Sequence, residues 1–377
     1  MKIAFNKPFL IGNEIEYIKD AISSGKISGD GAYTKKCHDF FEKRFGFKKV
    51  LLTSSCTDAL EMCSLLVGIN PGDEVIIPSY TFVSTANAFV LRGAKIAFAD
   101  SMSENPNIDV NKIEELITPR TKAIALVHYG GIACQMDEIM EIASRRNIPV
   151  IEDAAQAIDS YYKGRPLGSI GCLSAFSFHE TKNVISGEGG MIAINDESLI
   201  RRAEIIREKG TNRAAFFRGE VDKYNWVDIG SSFLPSEITA AFLFAQLEKL
   251  DEIQNKRKSL WNRYHESLKP LEALGKISLP VIPGYATNNA HLFYIMCANA
   301  EERTGLSAFL KKNDILSVFH YLSLHRSPFY AARHDGRELP NSDRFSDCLL
   351  RLPMYYELRE EDVDFIVKKI KEFYGEK

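Results

Sequence analysis

The chain has 377 residues, 45% of them apolar and 26% charged, with a net charge of −3. That length exceeds what one small core can organise, and the composition is that of an ordinary globular protein rather than a disordered or fibrous one. A nearly balanced charge excludes a general pull toward nucleic acid or an anionic membrane surface.

No apolar run approaches the length that spans a bilayer. The opening residues Met1-Lys2-Ile3-Ala4-Phe5-Asn6 lack the apolar segment and cleavage site of a leader, so a cytoplasmic location is expected. Seven scattered cysteines (Cys37, Cys56, Cys63, Cys134, Cys172, Cys297 and Cys348) include no CxxC pair. Neither a zinc site nor a disulfide framework is expected from them.

In chain order, 50–53 reads as a strand and 57–66 as the helix that follows it. Residues 74–78 form the next expected strand, with a helix near 84–91. Strands are expected at 94–100 and 122–127, a helix at 136–146, and a strand at 149–153. Two more strands are read at 173–178 and 190–195. About seven strands, most separated by helices, predict a largely parallel sheet covered on both faces, an α/β fold. From 236 to about 264, Ala240, Leu243, Leu247 and Leu250 recur at helical spacing and predict one long helix. It leads into a smaller α/β domain with strand-like segments at 291–297 and 315–320 and a last helix near 360–374. The expected division is 1–245, an N-terminal arm and large domain, and 246–377, a small C-terminal domain.

Sheets of this kind bind ligands beyond the carboxyl ends of their strands. Four segments with chemistry fall there. Thr53-Ser54-Ser55-Cys56-Thr57 joins a strand to a helix, whose free amides and dipole suit a phosphate. Phe82, in Pro78-Ser79-Tyr80-Thr81-Phe82, can stack on a flat ring. Glu152-Asp153-Ala154-Ala155-Gln156 ends a strand in a carboxylate. Ser177 and Lys182 follow another strand, ahead of Gly187-Glu188-Gly189-Gly190. A lysine amine and a strand-end carboxylate are what pyridoxal 5′-phosphate (PLP) requires, the amine to link to its aldehyde and the carboxylate to pair with its pyridinium nitrogen. Gln156 can donate to the phenolic oxygen, and Ser177 can add a hydroxyl to the phosphate. Singly, these features have ordinary alternatives: a helix cap, a core aromatic, a solvated lysine. Their convergence on one sheet edge favours the cofactor.

These segments, together with Ser28-Gly29-Asp30-Gly31, Ser55-Cys56-Thr57-Asp58-Ala59-Leu60 and Val127-His128-Tyr129-Gly130, resemble the DegT/DnrJ/EryC1/StrS family of sugar aminotransferases nearly end to end. The resemblance implies the type I aminotransferase fold and a homodimer with sites at the subunit interface. It implies that Lys182 carries PLP, Asp153 holds the pyridine nitrogen, Gln156 the phenolic oxygen, and Cys56, Thr57 and Ser177 the phosphate. Two positions depart from the family pattern. Cys56 stands where glycine is usual, and Ser232 stands where an asparagine reaches the neighbouring subunit's phosphate. Both departures, with Glu208-Lys209-Gly210-Thr211-Asn212-Arg213 and Asp222-Lys223-Tyr224, resemble the branch that aminates a TDP-linked 4-keto sugar. That branch implies a TDP-linked keto sugar as acceptor and L-glutamate as donor. Arg213, Tyr321 and His325 are candidates for the sugar nucleotide. Related sugar dehydratases carry histidine in place of the lysine, so Lys182 argues for amination. A desulfurase would need a cysteine on a mobile loop, and a degenerate regulator would have lost the cofactor residues.

Overall fold

The computed structural model describes residues 2–376. Eleven strands appear among them: β1 (Lys49–Thr53), β2 (Glu74–Pro78), β3 (Lys95–Ala99), β4 (Thr121–Val127), β5 (Val150–Asp153), β6 (Tyr161–Tyr162), β7 (Arg165–Pro166), β8 (Leu173–Ser177), β9 (Gly190–Ile194), β10 (Phe293–Met296) and β11 (Leu349–Leu352). Seven build the main sheet in the order β1-β9-β8-β5-β4-β2-β3. The pairs β3/β2, β2/β4, β4/β5 and β5/β8 are parallel, while β9 runs antiparallel to both its neighbours. The parallel strands need long crossovers, which helices such as Cys56–Leu66, Val83–Val90 and Met136–Arg146 supply.

Alternate residues of each strand enter opposite cores. Val50 and Leu52 lie in one, Leu51 in the other; Ile76 faces one, Val75 and Ile77 the other. A sheet buried on both faces has apolar residues at successive positions, which explains the continuous runs in the sequence. A third core surrounds the β10/β11 pair and contains Phe293, Ile295, Leu350 and Leu352, with Val363, Ile366 and Ile370 of the last helix Glu360–Phe373.

Two expectations are corrected. The helix expected over 236–264 is two helices, Glu237–Leu247 and Leu250–Ala273. No glycine or proline marks the break at Glu248 and Lys249; packing makes it. Leu247 and Leu250 enter the same sheet core, and the second helix then carries Leu260, Leu268 and Leu271 into the third core. The strand expected at 315–320 is not a ladder. Ile315 bridges Ile3 and Val318 bridges Arg351, each as an isolated pair.

Candidate active site

The carboxyl edge of the main sheet opens into a cavity of about 500 Å³. Cys56, Thr57, Phe82, Asp153, Gln156, Ser177, Lys182 and Tyr321 all line it. The connection 178–189 carries Lys182. It leaves β8 and returns antiparallel as β9, so both of its ends are fixed at that edge, where Ser177 pairs with Gly190.

Ser55 caps the helix Cys56–Leu66, its Oγ accepting from the Asp58 amide at 3.1 Å. The amides of Cys56 and Thr57 precede the first intrahelical bonds and are open to an anion. The Thr57 and Ser84 hydroxyls lie 2.8 Å apart beside them. Gly190 reaches this turn so closely that a Cβ there would overlap the backbone of Ser55 and Cys56. The last glycine of Gly187-Glu188-Gly189-Gly190 is therefore required by proximity to the turn.

Asp153 and Glu152 point to opposite faces of β5. Glu152 is fully buried and accepts from His128 Nε2 at 2.9 Å and from the amides of Gly168 (2.7 Å), Ile170 (2.8 Å) and Gly171 (2.5 Å). Burial pushes its pKa up, but the His128 bond and these amides outweigh it and leave the carboxyl below its ordinary value. The Cys134 amide donates to His128 Nδ1 at 3.2 Å, so the imidazole hydrogen sits on Nε2, facing Glu152. Asp153 faces the cavity with fewer donors: Thr85 Oγ1 at 2.7 Å and the Ala155 amide at 3.1 Å. Burial prevails over them and raises its pKa. A buried carboxylate short of positive charge fits a pyridinium nitrogen.

Lys182 is half-buried, and among the described residues its Nζ has no hydrogen-bond or ion-pair partner. Burial lowers its pKa, opposed by the nearby Cys56 and Asp153 and assisted by Arg351. Gln156 Oε1 accepts from the Gly130 amide at 2.7 Å, which turns Nε2 toward Tyr321 Oη at 3.1 Å. Phe82 is 53% exposed and lies against Tyr321, with ring centroids 5.8 Å apart. The phosphate-ready amides, the buried carboxylate, the free amine and the exposed ring fit the parts of PLP.

Three candidates lie elsewhere in the chain. Ser232 and Arg213 line a separate hollow of about 780 Å³ with Lys26, Lys35, Lys49 and Lys209. The backbone bridge from Ser232 to Glu208 holds it there. His325 is buried, with Nδ1 2.7 Å from Ser79 Oγ, and faces Asp343 rather than the cavity. The sequence singles out neither Thr85 nor Arg351, yet one bonds Asp153 and the other lines the cavity. No motif marks either. Thr85 lies one helical turn beyond Thr81, whose hydroxyl donates to it at 2.9 Å, and Arg351 comes from the far end of the chain.

The chain is 31% identical to SpsC, the spore coat polysaccharide biosynthesis protein of Bacillus subtilis, over 98% of this chain and 96% of that one. Its fold superimposes on the aminotransferase TlmJ of Streptoalloteichus hindustanus with a TM-score of 0.92, 28% identity and coverage of 100% and 99%. It superimposes on the PLP form of Spr1654 from Streptococcus pneumoniae with a TM-score of 0.90, 25% identity and coverage of 100% and 99%. The sequence model of the DegT/DnrJ/EryC1/StrS aminotransferase family matches residues 9–371, and the chain belongs to that family of PLP-dependent sugar aminotransferases.

Proposed function

We propose that the enzyme transfers the amino group of L-glutamate to C4 of TDP-4-keto-6-deoxy-D-glucose, giving TDP-4-amino-4,6-dideoxy-D-galactose and 2-oxoglutarate for surface polysaccharide synthesis in the cytoplasm. The observation that carries the reading is the unpaired Lys182 amine in one cavity with the buried Asp153 carboxylate. The choice of sugar is supported by the resemblance of Glu208-Lys209-Gly210-Thr211-Asn212-Arg213 and Asp228-Ile229-Gly230-Ser231-Ser232 to the branch that aminates such sugars. The name of SpsC, which refers to polysaccharide synthesis, agrees with a carbohydrate role.

Bound PLP supplies an aldehyde that stores the amino group between two half-reactions and a ring that draws electrons from the reacting carbon. Asp153 would keep the ring nitrogen protonated, and Thr85 fixes the orientation of that carboxylate. The open amides of Cys56 and Thr57, with Ser177, hold the phosphate. Gln156 Nε2 would donate to the phenolic oxygen, and Phe82 would cover the ring. With PLP in place, Lys182 Nζ would take the proton from the donor's α carbon. It returns a proton to sugar C4 in the second half-reaction. We further propose a homodimer in which the basic hollow with Ser232 and Arg213 faces the partner's cofactor phosphate and sugar nucleotide.

The test is NMR of the product from TDP-4-keto-6-deoxy-D-glucose and L-glutamate. An axial C4 amine is expected. An equatorial amine would replace the galacto product by its gluco epimer, and no amination would refute the acceptor. Lys182→Ala is expected to lower turnover by about 10²–10⁴-fold or more, the contribution of a positioned acid–base group.

A further inference from the structure

Among the described residues, three histidines line the cavity: His179, His291 and His320. His179 is half-buried, with Nδ1 2.9 Å from Thr181 Oγ1 and Nε2 3.6 Å from Glu188 Oε1. His320 meets the Tyr129 hydroxyl at 3.0 Å, a group that can donate or accept, so either tautomer satisfies it. His291 differs. It is 3% exposed, and its polar atoms other than Nε2 are all engaged. Its amide donates to Asn289 Oδ1 at 3.0 Å, and its carbonyl accepts from Arg257 at 2.7 Å. Nδ1 lies 2.9 Å from Asn183 Oδ1, while Nε2 has no hydrogen-bond or ion-pair partner among the described residues.

The surrounding bonds decide where the ring hydrogen sits. Asn183 Nδ2 donates to the Asn289 carbonyl and to Gln254 Oε1, both at 2.8 Å. A carbonyl can only accept, so the amide nitrogen of Asn183 is identified and its Oδ1 faces His291. Nδ1 of His291 must therefore carry the hydrogen. Burial holds the imidazole pKa well below its ordinary value, and the positive charges of Lys182, Arg351, Arg257 and His320 push the same way. The ring is neutral, and Nε2 offers a lone pair and no hydrogen. Lys182 Nζ is the complementary group, an unpartnered donor lining the same cavity, on the residue before Asn183. A buried acceptor without a donor is costly, and so is a buried ammonium without an acceptor. One hydrogen bond removes both costs.

We propose that His291 is a positioning residue for Lys182, its Nε2 accepting a hydrogen bond from the lysine amine whenever that amine is free of the cofactor. The inference rests on the aminotransferase reading. Once Lys182 has taken a proton it is an ammonium with three donors, and His291 holds one of them. The proton stays on the lysine. Because the contact favours the charged amine, it makes Lys182 a stronger base and fixes where that base stands. Both half-reactions use the same amine, so both depend on the contact.

Two substitutions separate this contact from the bond to Asn183. In His291→Asn the side-chain amide falls where Nδ1 stood, which keeps the donor to Asn183 and removes the acceptor. In His291→Gln it falls where Nε2 stood, which keeps an acceptor and removes the Asn183 bond. The enzyme is loaded with the aminated cofactor, which leaves Lys182 free. The ¹⁵N NMR spectrum of histidine-labelled enzyme, assigned by the signals lost in His291→Asn, reads the ring without turnover. Nε2 of His291 should lack a hydrogen at neutral pH, and Lys182→Ala should move its signal downfield. Single-turnover absorbance reads each half-reaction. His291→Asn is expected to slow both by about 10–100-fold, the scale of a hydrogen bond to a charged group, and to move the pH midpoint of the rate downward while urea unfolding stays near wild type. His291→Gln should unfold at lower urea and remain the faster of the two. A His291→Asn enzyme with the wild-type rate and pH midpoint, or an Nε2 signal that Lys182→Ala leaves in place, overturns the proposal. If His291→Gln does not fold, the pH midpoint of His291→Asn decides alone. Wild-type enzyme in which borohydride fixes no PLP to Lys182 would instead refute the aminotransferase reading itself.

Discussion

Adjacent carboxyls in β5 illustrate how environment divides identical chemistry. Glu152 is saturated with donors and held below its ordinary pKa, while Asp153, two donors poorer, is pushed up by burial. Lys182 follows the same logic with the opposite sign. Burial disfavours its charged form, so the neutral, nucleophilic amine is present at lower pH than for a free lysine. Capture of PLP by the apoenzyme should therefore accelerate as pH rises and reach half its maximal rate below the ordinary lysine value of 10.5. The Asp153 charge opposes this shift, so Asp153→Asn should move the midpoint further down. Stopped-flow absorbance across neutral to alkaline pH measures both. A midpoint at or above the ordinary value, or an upward move in the variant, would contradict the account.

At the scale of elements, the site depends on two strands converging on one helix terminus. β9 begins where the turn before the helix Cys56–Leu66 exposes its amides, and Gly190 is what lets the two backbones meet. Gly190→Ala should cost about 1–3 kcal/mol by overpacking and displace the amides proposed to hold the phosphate. Gly284 has open space around it, so Gly284→Ala should leave both quantities unchanged. Thermal unfolding and PLP titration would report them; cofactor affinity that is unaltered in the Gly190 variant would mean that the turn tolerates the intrusion. Much of this architecture was legible in the sequence. The main-sheet strands read clearly because burial on both faces writes itself as continuous apolar runs. Asp153 and Lys182 stood out because each follows such a run. The break at Glu248 and Lys249 was illegible, since helical periodicity continues through it and tertiary packing alone bends the path. Thr85 and Arg351 were hidden for a related reason: each acquires its place from an element that sequence spacing does not bring to the site.

At the scale of the molecule, Lys182 sits where the main sheet and the β10/β11 unit are tied together. Asn183, the residue after Lys182, donates from Nδ2 to Gln254 Oε1 and to the Asn289 carbonyl, both at 2.8 Å. Its Oδ1 accepts from His291 Nδ1 at 2.9 Å. The neighbouring Asn289 reaches back to the carbonyls of Gln156 and Ile158, each at 2.8 Å, and Arg257 grips the carbonyls of Ala290 and His291. One buried knot thus joins the lysine connection, the strand-end segment after Asp153, the helix Leu250–Ala273 and the chain leading into β10. Truncating Asn183 to alanine removes three bonds and strands their buried partners, a loss of about 3 kcal/mol or more. Because Asn183 directly follows Lys182 in the chain, the same change should loosen the amine's position and speed cofactor release. Urea unfolding followed with PLP absorbance tests the two effects together. If the connection were anchored mainly by β8 and β9, stability would fall while cofactor release stayed at the wild-type rate. If the knot positions the amine, both must change in the same variant.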